Sequence, residues 1–466
     1  MNDRIPDAES SHCLENFEIA AGRKTGEFYG AVFQDTDVAK WLEAVGFSLA
    51  CYPDEALEKT ADEVIDLIAE AQCEDGYINT YYTIKEPGKR WTDLCEGHEL
   101  YTAGHLIEAA VAYYEGTGKK KFLDCVSKFA DLICDTFGTE EGKIHGYSES
   151  CASIGLALFG LRMAQITGES QYIDVAERAL YNTVLAGIAL DGKSFFYVNP
   201  LEVWPPACME GTSKKHVKPI RQKWFGVACC PPNIARTLAS LGQYIYAENS
   251  KKKELYVNLF VSNETELDWN ENKISVKLQT EFPWVNTYSL EIKNVPEGEM
   301  DLLLRVPDYA QDYQVTADGN MYEENKELEK GYRRVHVEKD TRIEVSFAAP
   351  AKFVYANPQV RADSGKAAIV RGPLVYCLEE IDNSQNLPAV FVDTDTALEE
   401  EKSDLFGGIV TVKARGKKIV ESSVSNSLYS GQKPQLEDVE LTAIPYPYWN
   451  NRGEGEMLVW MKELRP

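Results

Sequence analysis

The chain has 466 residues, with 48 Lys or Arg, 74 Asp or Glu and a formal net charge of −26. Hydrophobic residues (44%) and charged residues (26%) occur in ordinary globular proportions, and at roughly 150 residues per domain the length predicts about three domains. The pI near 4.8 argues against nucleic acid and against an anionic membrane surface, because phosphate binding needs a basic face. A sugar or another small molecule that is neutral or cationic fits such a field better.

The first residues lack the apolar stretch of a signal peptide, and no run reaches the ~18 apolar residues of a membrane span. We therefore expect a cytoplasmic protein. The 11 cysteines show no spacing typical of a disulfide framework, so most of them are interpreted as buried thiols. The adjacent pair Cys229 and Cys230 needs another explanation, because neighbouring cysteines rarely bridge without strain.

Up to about residue 248 the apolar residues recur at helical spacing, which predicts about eight helices. One helix is expected to begin at Asp37. The other seven are expected at Leu14–Ala21, Ala56–Ala71, His98–Tyr114, Phe122–Phe137, Cys151–Ile166, Tyr172–Ile188 and Asn233–Tyr246.

A short internal repeat links two pairs of these helices. Thr117-Gly-Lys-Lys-Lys-Phe-Leu-Asp is matched by Thr167-Gly-Glu-Ser-Gln-Tyr-Ile-Asp, a period of about 50 residues that is typical of stacked helical hairpins in a solenoid or an α/α toroid. The alternative is two unrelated turns that agree by chance. A six-hairpin toroid needs about twelve helices, so this toroid would be incomplete by about four.

Beyond about residue 252 the pattern changes to period two, which predicts short antiparallel strands in β-sandwich modules. We therefore expect a mainly α and then β chain, with a helical domain at 1–250, a β-sandwich at 251–352 and a second β-sandwich at 353–466. The acidic run at 398–402 is interpreted as a solvated loop. The strands are expected at Glu254–Val261, Lys273–Leu278, Thr287–Ile292, Met300–Val306, Arg342–Phe347 and Ala367–Tyr376.

Four residues could together hold a metal ion. Glu149 and Cys151 lie where a loop enters a predicted helix, and Cys229 and Cys230 precede two prolines that open another helix. Three thiolates and one carboxylate suit a four-coordinate zinc ion, and thiolates are favoured at helix N-termini. The spacing is not one of the paired CxxC patterns, so buried, unliganded cysteine remains the alternative.

Some aromatic and histidine residues are candidates for sugar contacts. His98, Tyr101 and His105 fall on one helical face, and Phe195-Phe-Tyr197 with Trp204 could stack on a sugar ring. The alternatives are ordinary surface histidines and plain core aromatics. The sequence contains no GxGxxG, Walker, GxSxG or HExxH motif.

Several stretches together resemble glycoside hydrolase family 127, whose members are retaining β-L-arabinofuranosidases. The resemblance covers nearly the whole chain, and Cys-Cys-Pro-Pro-Asn is its most specific motif. The stretches that resemble the family are Phe33-Gln-Asp-Thr-Asp-Val-Ala-Lys-Trp, Gly97-His-Glu-Leu-Tyr-Thr-Ala-Gly-His, Ser148-Glu-Ser-Cys-Ala-Ser, Trp224-Phe-Gly-Val-Ala-Cys-Cys-Pro-Pro-Asn, Arg361-Ala-Asp-Ser-Gly and Ala367-Ala-Ile-Val-Arg-Gly-Pro-Leu-Val-Tyr-Cys.

The resemblance implies a glycosidase with a cysteine nucleophile and an arabinofuranoside or related sugar as substrate. Cys229 matches the family's nucleophile, and Glu149, Cys151 and Cys230 match its zinc ligands beside that sulfur. Zinc would keep the sulfur as thiolate, and attack would form a thioglycosyl intermediate that water then hydrolyses. His98 and Tyr197 match positions that contact the sugar.

The chain departs from the family at one junction. Glu140-Glu-Gly-Lys-Ile-His-Gly runs directly into Tyr147-Ser-Glu-Ser-Cys, whereas the family has a long helical segment between them that supplies the general acid/base glutamate. No residue here matches that glutamate. The alternative to an active enzyme is therefore a degenerate homologue that keeps zinc and weak sugar binding, with a homodimer as one way to cover the exposed helices. A third reading, a thiol redox protein using Cys229 and Cys230, predicts a reversible disulfide.

Overall fold

The structure is a computed structural model, and it describes residues 11–94, 96–137, 149–212, 214, 216–225, 229–269, 272–295, 300–324, 327–420 and 429–465. The junction at 140–148, where the chain departs from the family resemblance, lies outside these residues. The chain divides into two compact units, Met1–Tyr147 and Ser148–Pro466, and each is described by itself.

The first unit is helical, and every helix predicted for it is present. A short helix that the sequence pattern missed, α4, begins after Asn79, whose side chain accepts a hydrogen bond from the Tyr82 N–H. The helices are α1 (Cys13–Ala20), α2 (Asp35–Cys51), α3 (Glu55–Ala71), α4 (Thr80–Ile84), α5 (Glu99–Thr117) and α6 (Lys121–Thr136).

Helices α2 and α5 cross at two glycines. A Cβ on Gly46 would lie 2.6 Å from the backbone of Ala112, and one on Gly116 would lie 2.3 Å from the Gly46 carbonyl oxygen. Any larger residue at either place would separate the helices. Helices α2 and α5 can therefore approach this closely only because both residues at the crossing are glycines.

The second unit begins with three longer helices and continues in β-sheets. The helices are α7 (Ser150–Thr167), α8 (Gln171–Ala179), which continues as one π-helical turn, and α9 (Cys230–Ser240). The order of helices first and β modules afterwards confirms the predicted fold class.

The internal repeat is confirmed in atomic detail at the ends of α5 and α7. Gly118 and Gly168 both cap their helices with left-handed backbone, at φ 73° and 69°, which glycine adopts without steric cost. The hydroxyls of Thr117 and Thr167 donate to the carbonyl oxygens four residues earlier. The two copies thus form the same helix-ending turn.

Two sheets pack face to face over one apolar core to form a β-sandwich. The four-stranded sheet contains β2 (Tyr246–Asn249), β3 (Glu254–Val257), β7 (Met300–Arg305) and β10 (Tyr332–Val337). The six-stranded antiparallel sheet contains β4 (Asn263–Trp269), β5 (Asn272–Thr280), β6 (Thr287–Lys293), β8 (Gln311–Ala317), β9 (Asn320–Met321) and β11 (Thr341–Ala348).

A third, ten-stranded sheet follows, and it takes in one early strand, β1, which pairs with β19. The acidic run at 398–402 was wrongly interpreted as a loop, because it forms most of β16, an edge strand paired with β17. The predicted domain boundaries stay a prediction. The strands are β1 (Glu202–Val203), β12 (Lys352–Tyr355), β13 (Lys366–Arg371), β14 (Leu374–Glu379), β15 (Val390–Val392), β16 (Glu399–Ser403), β17 (Ile409–Ile419), β18 (Leu436–Pro445), β19 (Met457–Leu458) and β20 (Met461–Glu463), with a short helix α10 (Glu380–Asn383).

By length and composition, α7 is the one described helix that could cross a membrane, with a mean hydropathy of 1.2 over its 18 residues. The sequence reading found no such stretch. More than half of the helix is buried inside the protein itself, and a buried core helix meets the same criterion.

One buried carboxyl in the first unit predicts a pH dependence of stability. Asp35 accepts hydrogen bonds from the Thr80 N–H at 2.7 Å and from its hydroxyl at 2.5 Å. Burial nevertheless raises the pKa of Asp35 from 3.8 to about 6, because the charged form loses its hydration. The folded protein then binds more protons than the unfolded chain between these two values, so the free energy of unfolding falls as the pH rises through them.

We expect Asp35→Asn to remove this dependence. The difference in unfolding free energy between the variant and the wild type, measured by urea denaturation, should shift in favour of the variant by about 2 kcal/mol between pH 4 and pH 7. Asp37→Asn, an exposed change on the same helix, is the matched control and should show no such shift. A difference for Asp35→Asn that is constant with pH would contradict the prediction.

Candidate active site and metal centre

The four predicted metal ligands converge in the second unit. The Glu149 carboxylate oxygen and the sulfurs of Cys151, Cys229 and Cys230 all lie within 4.8 Å of one another. Cys151 and Cys230 are buried, whereas Glu149 and Cys229 are partly exposed. The first two of these residues are at least 78 positions before the last two in the sequence. The structure nevertheless brings all four into one cluster, as the sequence predicted.

Two helix N-termini hold the cluster. Glu149 immediately precedes α7 and Cys151 is its second residue, while Cys230 is the first residue of α9 and Cys229 precedes it. Prolines at the next two positions let α9 begin there, because the first N–H groups of a helix need no partner within it. Helices α7 and α9 pack on each other, which brings both ends together.

A buried hydrogen-bond network fixes the start of α7. The Ser150 N–H donates to the Tyr197 carbonyl oxygen at 3.1 Å, and the Ser150 hydroxyl donates to the Phe196 carbonyl oxygen at 2.9 Å. The Asn199 amide in turn donates to the Ser150 hydroxyl at 2.9 Å. This network sets Tyr197 beside Glu149 and the cysteines.

The sulfur spacing matches a tetrahedral zinc site. The Cys230 sulfur lies 3.8 Å from that of Cys151 and 3.9 Å from that of Cys229. A tetrahedral zinc ion with metal–sulfur bonds of about 2.3 Å has sulfur–sulfur edges of about 3.8 Å. The cysteines are free thiols, and the donor set of three sulfurs and one carboxylate fits zinc.

The neighbours of Cys229 lower the pKa of its thiol. Hydrogen bonds from the thiols of Cys151 and Cys230, and then from the Tyr197 hydroxyl, lower the pKa of Cys229 from 9.0 to about 2. The same interaction with Cys229 raises the pKa of Cys151 to about 12. Burial, reinforced by the charge of Glu149, raises the pKa of Tyr197, so its hydroxyl stays a proton donor towards the Cys229 sulfur. The arrangement favours a thiolate at the most exposed of the three cysteines.

Three further residues of the site, Asn199, Phe225 and Asn233, were not among the predicted site residues. The Asn233 side chain hydrogen-bonds Cys151 and accepts a 2.7 Å hydrogen bond from Arg236. Phe225 packs on the cluster, with its ring 5.9 Å from that of Tyr197. Asn233 and Phe225 lie inside the motifs that carry the family resemblance, but Asn199 has no such signal.

The predicted aromatic residues divide between core and site. Phe196 is a buried core residue, as the alternative interpretation expected, whereas Phe195 is buried beside Cys151 and Cys230, and Tyr197 packs against the same cluster. His98 lies in the first unit, where its ring contacts Phe33 at 5.1 Å and Tyr101 at 5.8 Å. Tyr101 contacts His105 at 4.6 Å, so the predicted face of α5 is present.

The carboxyl groups of Glu99 and Glu202 are both engaged in contacts away from the cysteine cluster. Glu99 is buried, and its two oxygens accept hydrogen bonds from the Tyr77 hydroxyl and the Trp91 N–H. Glu202 lies on the exposed side of β1 and pairs with Lys214 at 3.2 Å. Glu99 is therefore a structural group of the first unit.

Family models match three consecutive parts of the chain. The β-L-arabinofuranosidase GH127 catalytic domain matches residues 1–149 and 144–243, the GH127 middle domain matches 254–350, and the family 127 C-terminal domain matches 351–462. The chain belongs to glycoside hydrolase family 127. It is a glycosidase of that family, as the sequence motifs predicted.

Characterised relatives and solved structures span almost the whole chain. A non-reducing end β-L-arabinofuranosidase of Bifidobacterium longum subsp. longum is 29% identical, covering 97% of this chain and 92% of its own. A solved GH127 β-L-arabinofuranosidase from Geobacillus stearothermophilus T6 is 38% identical, with 99% and 95% of the two chains covered and a TM-score of 0.66. A second solved GH127 β-arabinofuranosidase is 28% identical, covers 97% and 92%, and has a TM-score of 0.60.

The comparison also locates what this chain lacks. The Bifidobacterium alignment extends over 613 positions, whereas this chain has 466 residues, so more than a hundred positions of the relative have no counterpart. The catalytic-domain match breaks into two segments that meet at 144–149. This is the place at which the sequence runs directly from Gly146 to Tyr147.

Proposed function

We propose that this family 127 glycosidase is a retaining β-L-arabinofuranosidase whose nucleophile is the Cys229 sulfur. The observation that carries the proposal is the convergence of Glu149, Cys151 and Cys230 on that sulfur. A sulfur that is both anionic and partly exposed has the chemistry of a nucleophile rather than of a buried structural thiol. The arabinofuranoside specificity is inferred from the named activity of the relatives.

Zinc is the proposed cofactor, held by Glu149, Cys151, Cys229 and Cys230. The 3.8 and 3.9 Å sulfur separations and the donor set support this metal. Bound there, zinc would keep the nucleophilic sulfur deprotonated and oriented.

The proposed reaction follows from the residues around Cys229. Its sulfur attacks the anomeric carbon from the face opposite the leaving oxygen, the glycosidic C–O bond breaks, and the leaving oxygen takes a proton from water, which gives a thioglycosyl intermediate. A water molecule then attacks the anomeric carbon, loses a proton and displaces the Cys229 thiolate, so the sugar is released with retained configuration. The Tyr197 hydroxyl, which points its proton at the sulfur, would stabilise the thiolate before attack and after hydrolysis. By the family resemblance, His98 and Tyr197 contact the sugar.

A degenerate homologue is the second candidate, because a specific observation favours it. The stretch missing between 144 and 149 is the one that in the family supplies the general acid/base glutamate. Without protonation of the leaving oxygen the rate would fall by roughly 10²–10⁴-fold. Such a protein would keep the metal and weak sugar binding. A cytoplasmic location and a homodimer stay predictions for either candidate.

Two measurements on the purified protein test these candidates together. We expect hydrolysis of methyl β-L-arabinofuranoside, whose leaving oxygen needs a proton, with retained configuration by NMR, and about one zinc per chain by elemental analysis. Zinc without hydrolysis would support the degenerate homologue. Neither metal nor hydrolysis would overturn both candidates.

Cys151→Ser is expected to lower the bound zinc from about one to near zero per chain, because a hydroxyl is a poor replacement for a thiolate ligand. The measurement is elemental analysis after gel filtration. Cys51→Ser, which removes an exposed cysteine outside the cluster, should leave the zinc content unchanged. Equal zinc in both variants would show that Cys151 is not a ligand.

A further inference from the structure

A strongly basic segment lies just before the candidate nucleophile. Residues 213–224 contain five Lys or Arg and no Asp or Glu, in a chain whose formal net charge is −26. We call this stretch the cationic segment. Its positive charge is opposite in sign to the net charge of the molecule, which suggests that the segment binds an anionic group.

Buried side chains anchor the cationic segment to the protein. The Arg221 guanidinium is buried and donates to the carbonyl oxygens of Trp449 at 2.8 Å and Ala186 at 2.9 Å. Val217 is buried in the apolar core that also contains Phe196. These two side chains therefore fix the part of the segment from 217 to 221, and Lys223 remains on the surface.

The segment is also joined to the candidate active site. Gln222 and Phe195 exchange both backbone hydrogen bonds at 2.9 Å, and Phe195 packs with Cys151 and Cys230. The Phe225 ring lies 4.9 Å from that of Phe195 and belongs to the same cluster. Lys223 and Trp224 lie between these two attachments and so border the cysteine cluster.

The surface at this border can bind both a sugar ring and an anion. Trp224 is 70% exposed, and exposed aromatic side chains suit stacking against sugar rings. Lys214 pairs with Glu202 at 3.2 Å. Within the part of the chain that the structure describes, Lys218 and Lys223 form no ion pair with a carboxylate.

We propose that Lys218, Lys223 and Trp224 form a subsite for an acidic saccharide, whose uronate carboxylates bind the lysines while a ring stacks on the indole. The subsite would hold the part of the substrate beyond the sugar that Cys229 attacks, so the inference rests on the proposed function. A short acidic saccharide fits this site better than a long polyanion, because the net charge of −26 would repel chain that extends past it.

The test is direct binding of trigalacturonic acid and of its methyl ester, measured by calorimetry at 20 and 200 mM salt. We expect the acid to bind roughly five- to tenfold more tightly than the ester at low salt, and the difference to shrink at high salt. In the double variant Lys218→Gln, Lys223→Gln, the acid and the ester should bind alike. The control Lys251→Gln, Lys252→Gln removes two exposed lysines elsewhere and should change nothing.

Trp224→Ala is a second test variant. It should weaken binding of the acid and of the ester equally, because stacking on the indole does not depend on the carboxylate charge. Equal wild-type affinity for the acid and the ester, or equal effects of the two lysine pairs, would overturn the subsite. Dextran sulfate that binds through these lysines as tightly as trigalacturonic acid would also overturn it, in favour of general polyanion attraction. Because binding is measured without turnover, a protein that binds the acid but hydrolyses nothing would overturn only the proposed function.

Discussion

Cys229→Ser is expected to lower kcat for 4-nitrophenyl β-L-arabinofuranoside by at least about 10³-fold. The reason lies in the charge distribution of the cluster, where hydrogen bonds from Cys151 and Cys230 leave the thiolate on Cys229. A serine hydroxyl has a far higher pKa than a thiol, so it would present a neutral and weak nucleophile in the same place. The measurement is steady-state hydrolysis at a saturating substrate concentration.

The control for this prediction is Cys51→Ser, which should keep wild-type activity because Cys51 is an exposed residue of the first unit. Thermal unfolding of both variants distinguishes lost chemistry from a lost fold. If Cys229→Ser remained folded and kept kcat within tenfold of the wild type, the cysteine nucleophile would be wrong.

Arg305→Met is expected to lower the free energy of unfolding by about 3–5 kcal/mol. Arg305, fully buried at the end of β7, donates to Asp174 at 2.6 Å and to Glu177, and its Nε donates to the Asn258 carbonyl oxygen at 2.7 Å. The variant would leave two buried carboxylates of α8 without a counterion. Burial, reinforced by the charges of Asp308 and Glu177, raises the pKa of Asp174 to about 6 even with Arg305 beside it, so charge is unfavourable there.

Arg178→Met is the matched control, because it breaks another ion pair of the same helix. Arg178 lies 3.1 Å from Asp308, but both side chains are about half exposed, so we expect a loss below about 1 kcal/mol. Urea denaturation of both variants gives the comparison. A loss for Arg305→Met no larger than that for Arg178→Met would mean that water reaches the buried carboxylates.

The helices were predictable because their signals are local. All eight predicted helices are present, since apolar residues at helical spacing bury one face of each. The pattern missed α4 and α10, whose five and four residues are too few to show a helical period. In the β region the same local reasoning worked for β5 and β11, whose burial alternates along the strand. It was wrong at 398–402, because strand β16 has mainly exposed residues and forms through its backbone pairing with β17.

The candidate site was predictable only as a set of residues. The motifs named Glu149, Cys151, Cys229 and Cys230, but the pairing of Glu149 with Val198 and the contact of Asn233 with Cys151 depend on segments far apart in the sequence. Asn199 was missed for the same reason, since nothing near it in the chain shows that its amide meets Ser150.

The sequence by itself determined the order of helices and strands, the family and the identity of the four candidate ligands. These follow from hydrophobic periods and short motifs, which are properties of neighbouring residues. Only the tertiary structure decided that the three sulfurs and the carboxylate meet within 4.8 Å, with Cys229 as the partly exposed one of the three cysteines. That decision belongs to the packing of α7 on α9, because two helix ends bring together groups that no local pattern connects.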